Sequence, residues 1–250
     1  GRRATITHPS GITETFNYNT NGFLSSISAG GLARWTINNM NAKQQIISGN
    51  YGSNLNIASG YDVYGFPTST VVDSIQNYSY NFNTITGNLN WRQNNIYQNL
   101  REDFIYDDLD RLDSVILADT TTLDMAYDNQ KGGITYKSDA GTLSYENSNK
   151  PYAVSNIDPV SSFTLLTEQN ITYTSFESVK TISEGDYSAS FLYGSDNERS
   201  RMVVQQDSNI FLIRWYLSSN YIKETIGSIT REYTFIGGDA YSAPVVAITQ

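Results

Sequence analysis

Four aspartates and an arginine crowd the stretch "FIYDDLDRLDSV", residues 104 to 115. Carboxylates such as Asp107, Asp108, Asp110 and Asp113 can ligate a hard cation or exchange a proton with a substrate, and Arg111 is the kind of cation that holds an anionic group. An EF-hand loop is ruled out, because the glycine and the bidentate glutamate it needs are missing from the required positions. The lone histidine, His8, lies in "THPSG" beside a proline and reads as a solvated loop residue rather than a catalytic base. The chain has no GxSxG, no phosphate loop, no GxGxxG ahead of a helix and no HExxH. Paired carboxylates for glycoside hydrolysis stay open, since that chemistry asks only for two acids roughly 5 to 9.5 Å apart and a sequence carries no distances. Trp35 and Trp215 fall in strands where other stretches carry Phe or Tyr, so they read as sheet-face residues. Trp91, just after "GNLN", reads as the most exposed of the three tryptophans and as a possible glycan contact.

These side chains need elements to position them, and the composition indicates which. The 250 residues suffice for one large β domain or two smaller ones. Tyr occurs 19 times, Phe 10 and Gly 18, a mixture that suits pleated strands joined by tight turns. With no cysteine there is neither a disulfide framework nor a thiolate metal site. A net charge of −9 opposes binding to a phosphate backbone, so nucleic acid is not an expected partner. No window resembles a membrane span, and "GRRATITHPSG" lacks the apolar core of a signal peptide. The closing "YSAPVVAITQ" reads as a strand running on into a longer parent chain. The expectation is an all-β fold with little or no helix and no cofactor or metal.

Set against itself, the chain repeats. "FNYNTNGFLSSI" (16 to 27), "SGYDVYGFPTST" (59 to 70), "YSYNFNTITGNLNW" (78 to 91), "FIYDDLDRLDSV" (104 to 115) and "FLYGSDNERSRMVV" (191 to 204) share one plan. A strand ending in Tyr leads into a short polar turn, and an apolar residue opens the return strand. Weaker copies begin at Trp35, Met125, Tyr145 and Ile171, and those between residues 116 and 182 are degenerate. The structural repeat positions read in this way are Tyr18, Tyr61, Asp62, Tyr80, Tyr106, Asp107, Leu112, Tyr127, Asp128 and Tyr193, with Ile37 standing in the place of Tyr in the second copy.

In "FxY" the two rings point to one face and can stack on neighbouring repeats. The residue after Tyr is Asp62, Asp107, Asp128, Asn19 or Asn81, each able to bond its own backbone two residues on. Gly22, Gly65 and Gly87 supply positive φ in the turns, and Leu24, Leu89 and Leu112 return an apolar side chain to the aromatic face. The interchange of Asp and Asn decides the chemistry. A catalytic or metal carboxylate cannot become an amide and keep its role, whereas an Asx turn accepts either. The aspartates therefore read as turn formers, and "YIKETIGSITREYTFIGG" reads as a hairpin with Gly227 and Ser228 in a type II′ turn.

"YDDLDRL" at 106 to 112, with "GNLNWR" at 87 to 92 and "YGSDNERSR" at 193 to 201, resembles the YD repeats of the Rhs family of bacterial surface and toxin proteins and, more distantly, of the teneurins. Position 110 holds Asp where that pattern favours Gly or Asn. "REYTFIGGDAYSAPVV", 231 to 246, resembles the stretch that precedes the Rhs core segment. The resemblance covers nearly the whole chain. It implies a β-hairpin ribbon spiralling as part of a hollow shell in a large secreted or surface-associated bacterial protein. That shell would be structural rather than enzymatic and would enclose a C-terminal toxin domain. The alternative reading is a carbohydrate-binding or adhesion module.

Overall fold

The computed structural model describes residues 1–52, 54–161 and 167–250, so part of the degenerate stretch between 116 and 182 lies outside the described residues. The described residues form twenty-three antiparallel strands and no helix, the all-β architecture expected from the sequence. Within each sheet, every strand pairs with the next in sequence. One sheet runs through the first fifteen strands and a second through the last eight.

The strands are β1 (Thr5–Thr7), β2 (Thr13–Tyr18), β3 (Leu24–Ala29), β4 (Leu32–Met40), β5 (Ile46–Tyr51), β6 (Leu55–Tyr61), β7 (Pro67–Val72), β8 (Gln76–Phe82), β9 (Leu89–Asn94), β10 (Leu100–Tyr106), β11 (Leu112–Leu117) and β12 (Thr120–Tyr127). They continue with β13 (Ile134–Lys137), β14 (Gly141–Ser144), β15 (Asn156–Pro159), β16 (Gln169–Tyr173), β17 (Val179–Glu184), β18 (Tyr187–Tyr193), β19 (Arg199–Gln206), β20 (Asn209–Ser218), β21 (Tyr221–Ile226), β22 (Ile229–Ile236) and β23 (Val245–Thr249). The chain divides into two compact units. One comprises Gly1–Met40, Ser48–Asn56 and Thr167–Gln250, the other Asn41–Ile47 and Ile57–Leu166.

The second unit is a run of hairpins. Alternation along each strand sends Tyr61, Val72, Phe104, Tyr106, Val115 and Tyr127 to one face, while Ser69, Asn77, Ser79, Trp91 and Asp103 lie on the other. Val72 and Val115 are its only described apolar residues below a tenth exposed. Burial here is partial nearly everywhere, so hydrogen bonds between hairpins must hold what a thick core would otherwise hold.

The first unit has the thicker core. Ile27, Ala29, Trp35, Phe191, Tyr221, Phe235 and Ile236 are buried in it, and Trp35 packs its ring 4.8 Å from that of Tyr51. Among these apolar residues sits a polar knot. His8, the residue expected in solvent, is only 4% exposed. Its Nε2 lies 2.5 Å from Oε1 of Glu14, and its ring stacks on Tyr221 at 6.4 Å. The other oxygen of Glu14 accepts the backbone N–H of Gly237 at 3.0 Å, and Ser10 Oγ meets Thr234 Oγ1 at 3.0 Å. A Cβ at Gly237 would lie 2.7 Å from Ile27 Cδ1, and φ there is +82°, so only glycine brings this backbone close enough for its N–H to reach Glu14. The expectation for His8 failed because the residues that bury it lie more than 200 positions away.

Burial also acts on Tyr221. Desolvation, helped by its hydrogen bond to Glu232, pushes the phenol up to about 12. Replacing His8 by Ala would leave a buried carboxylate without its partner, at a cost on the order of 3 kcal/mol. Thermal unfolding of His8→Ala should show a clearly lowered Tm, and a Tm equal to that of the parent sequence would mean the pair contributes nothing.

Candidate functional site: a tyrosine-to-carbonyl ladder on bulged Asx turns

The turn begins at the residue after the strand-ending aromatic. In nine turns among the described residues, opening at His8, Asn19, Asn41, Asp62, Asn83, Asp107, Asp128, Thr174 and Gly194, that residue's N–H bonds the carbonyl four or five positions on. Its carbonyl in turn accepts an N–H from three or four positions on. From Asn19 to Asp128 the openings recur every 21 to 24 residues by subtraction. The side chain adds a cap. Asn19 Oδ1 takes the N–H groups of Asn21 and Phe23, Asp62 Oδ1 those of Tyr64, Gly65 and Phe66, and Asp128 Oδ1 those of Gln130 and Lys131. Asp and Asn accept these bonds through the same oxygen, which explains their interchange.

Each turn closes through a left-handed residue. Gly65 holds φ at +100°, where a side chain is strained, while Gln44, Asp110, Glu177 and Asn197 occupy the equivalent place at +60° to +67°. Asp110 is thus a tolerated left-handed aspartate. A register shift immediately precedes Tyr18, Tyr61, Phe82, Tyr106, Tyr127, Tyr173 and Tyr193. Such a bulge re-aims the side chain that follows it.

The re-aimed tyrosine reaches the previous hairpin. Tyr61 donates to the carbonyl of Ile46, Tyr106 to Leu89 at 3.1 Å, Tyr127 to Leu112 at 2.6 Å and Tyr193 to Val179 at 2.5 Å, and Tyr145, which no register shift precedes, to Ile134 at 2.9 Å. Every acceptor is the first residue of the preceding hairpin's return strand. Tyr18 makes the same kind of bond to Arg3. Leu112 therefore has two roles: it faces Tyr106 across its own hairpin and its carbonyl holds Tyr127 of the next.

The aspartate-rich stretch is part of this ladder. Asp107 Oδ1 caps Leu109 and Arg111, and Oδ2 accepts Arg111 Nε at 2.7 Å. The Arg111 guanidinium then lies 4.3 Å from the centre of the Tyr127 ring. Asp107 thus orients the cation that covers the next rung. Arg111 and the backbone N–H groups hold the Asp107 carboxyl below the usual carboxylate range, the N–H groups of Lys131 and Gln130 do the same for Asp128, and desolvation raises the Tyr127 phenol. Asp110 accepts Asn88 Nδ2 at 2.7 Å. No group of metal-ligating side chains is gathered among the described residues.

Some sequence assignments need correction. Tyr80 and Asn81 lie inside β8, and the turn opens at Asn83 after Phe82, whose ring stacks on Phe66 at 5.3 Å in place of a hydroxyl bond. Ile37 likewise lies inside β4, and the turn opens at Asn41 after Met40. Counting back from Gly87, rather than forward from an aromatic, would have found the first, whereas the left-handed Gln44 gives no such signal in the sequence. Trp91 is half-buried, between Asn81 and Asp103 on the neighbouring strands, and the Arg101 guanidinium covers it at 4.7 Å. Gly227 has φ +58°, and Ile226 pairs with Ile229, as in a two-residue hairpin turn.

No protein-family model matches this chain, and no curated protein matches it in sequence. Solved structures do match in fold. A chain in the crystal structure of TcdB2-TccC3-Cdc42 superposes with a TM-score of 0.68 over 93% of this chain at 14% identity. A chain in the Photorhabdus luminescens Tc holotoxin pore carrying a mutation in TccC3 gives 0.63 over 95% at 14%, and one in the TcdB2-TccC3-TEV crystal structure 0.64 over 100% at 14%. The matched regions make up 14%, 15% and 16% of those chains. This chain therefore has the fold of a segment, about one-seventh in length, of Tc toxin chains.

Three measurements test the ladder. Tyr127→Phe keeps the ring and loses the bond to Leu112, so it should cost about 1 kcal/mol and lower the Tm without changing the circular dichroism spectrum. Depressed carboxyls stabilise the fold above their unfolded value of about 3.9, and that contribution is lost as pH falls through the folded value. The Tm should therefore drop below about pH 4, and more shallowly in the Asp107→Asn, Asp128→Asn double variant, which keeps the caps but has nothing to titrate at these two turns. Asp107→Ala, which loses the cap too, should be less stable than Asp107→Asn at neutral pH.

Proposed function

We propose that this chain is a wall segment of a large secreted bacterial toxin of the Rhs type, structural rather than enzymatic, in a parent protein that encloses a C-terminal toxin domain. The observation that carries the proposal is the ladder, in which hairpin after hairpin is pinned to its predecessor by a side-chain hydroxyl on a backbone carbonyl. Such a device extends a sheet without limit and needs no ligand. It uses up the aspartates that first suggested chemistry: Asp62, Asp107 and Asp128 cap turns, and Asp107 also holds Arg111. The fold likeness to Tc toxin chains, at about one-seventh of their length, supports the reading of a repeated unit within a much larger wall.

Limited proteolysis of the intact parent under native conditions is the test. The toxin domain should resist digestion until the wall is unfolded, and digestion as fast as that of the isolated domain would remove the enclosing role. A glycan array run on the chain addresses the adhesion alternative. Reproducible binding lost on Trp91→Ala would replace the wall reading with a carbohydrate-binding one.

A further inference from the structure

Opposite charges placed directly across two antiparallel strands stand about 5 Å apart at their Cβ atoms and ordinarily bond. Glu224 of β21 and Arg231 of β22 are so placed, yet they form no ion pair with each other among the described residues. The adjacent pair on the other face of the same hairpin, Lys223 and Glu232, does bond, at 3.2 Å. Glu224 and Arg231 instead flank a hollow whose remaining lining is the next cross-strand pair, Ile226 and Ile229. It encloses about 260 Å³ of empty space, partly open to solvent. That is less than the roughly 300 to 1,000 Å³ of a pocket for a drug-sized ligand, so an occupant must be small.

Both charges are short of partners. Glu224 is only 4% exposed, and its Oε2 is held by the Arg214 guanidinium, with Nε at 2.8 Å. Its Oε1 receives the Tyr233 hydroxyl at the long distance of 3.4 Å, weak satisfaction for a buried carboxylate oxygen. Arg231 makes no hydrogen bond or ion pair among the described residues, so its guanidinium fork is free to take a carboxylate.

The hollow thus offers one anionic acceptor, one two-pronged cationic donor and an apolar patch. A metal cation would find a single carboxylate already bonded to an arginine, whereas hard cations take several oxygens. A simple fatty acid would use Arg231 and the isoleucines and leave Glu224 Oε1 unimproved. An α-amino acid carries an ammonium and a carboxylate on one carbon. It satisfies both opposed charges at once and lays its side chain on the isoleucines.

We propose that this hollow binds a free aliphatic amino acid such as L-valine, with its ammonium on Glu224 Oε1, its carboxylate on Arg231 and its side chain on Ile226 and Ile229. The tight turn through Gly227 joins the two strands that carry all four residues, so the walls are in place before a ligand arrives. The site lies apart from the tyrosine ladder and does not depend on the wall reading.

Titration of the chain with L-valine, followed through the NMR signals of isoleucine methyls and arginine Nε–H groups, tests the site. Saturable shifts are expected at Ile226, Ile229 and Arg231. Isovalerate lacks the ammonium and isobutylamine lacks the carboxylate, so each should bind at least about ten-fold more weakly through the loss of a charge-assisted hydrogen bond. Arg231→Gln should abolish binding at an unchanged Tm, because the guanidinium has no internal partner to lose. Ile229→Trp, which fills the hollow from a position already 43% exposed, should abolish it as well. Valine shifts that never saturate overturn the proposal, as do saturable shifts centred elsewhere on the chain or valine binding that survives in either folded variant. Isovalerate or isobutylamine binding as tightly as valine also overturns it, by showing that one of the two charges plays no part.

Discussion

A tyrosine set into the face of a sheet must give its hydroxyl an acceptor, and here the acceptor lies on the previous hairpin. That requirement organises the rest. The carbonyls of Leu89, Leu112 and Ile134 stand at the starts of return strands, so the tyrosine must approach from a bulge at the end of its own strand. The bulge in turn needs a turn of fixed form beside it. The Asx cap and the left-handed residue supply that form, and Arg111 fills the space above the ring that the bulge opens. Remove the hydroxyl and the copy needs another contact, as Phe82 finds on Phe66.

This arrangement suits a sheet that buries little. In the second unit most inward side chains are half-covered, and only two apolar residues are below a tenth exposed among those described. Area-based stabilisation alone is weak in such a structure, so order comes from many small terms repeated along the ribbon. Repeat proteins commonly sum nearest-neighbour contributions in this way. Each rung ties one hairpin only to the one before it, so a rung lost in one copy, as at Met40, does not undo the pattern on either side.

The first unit solves a different problem. There the chain meets itself across a long sequence separation, and the contact contains a histidine, a glutamate and a threonine as well as Ile27 and Ile236. Burying polar groups is tolerable only when they are paired. The knot is paired: Glu14 has His8 on one oxygen and Gly237 on the other. A polar contact of this kind fixes one register, because shifting it by a residue would strand a carboxylate among apolar side chains.

Legibility in the sequence followed range. The all-β class, the hairpins, the Asx turns and the structural reading of Asp107 could be read from residues within about five positions of one another, since turn chemistry and strand alternation are local. Assignment slipped by two residues in "YSYNFN", where Tyr78, Tyr80 and Phe82 alternate and both Asn81 and Asn83 suit a turn. Period-two alternation alone cannot choose between them; the pairing of Phe82 with Leu89 does. The hydroxyl bonds between hairpins could not be read at all, because whether a tyrosine reaches a carbonyl some fifteen residues back depends on the twist and spacing of paired strands. Nor could the burial of His8. Its sequence neighbours, a threonine and a proline, describe a loop, and only the return of Tyr221, Thr234 and Gly237 across more than 200 residues turns that loop into core. Local chemistry determined what each hairpin is, and tertiary packing decided which polar groups would be taken out of water.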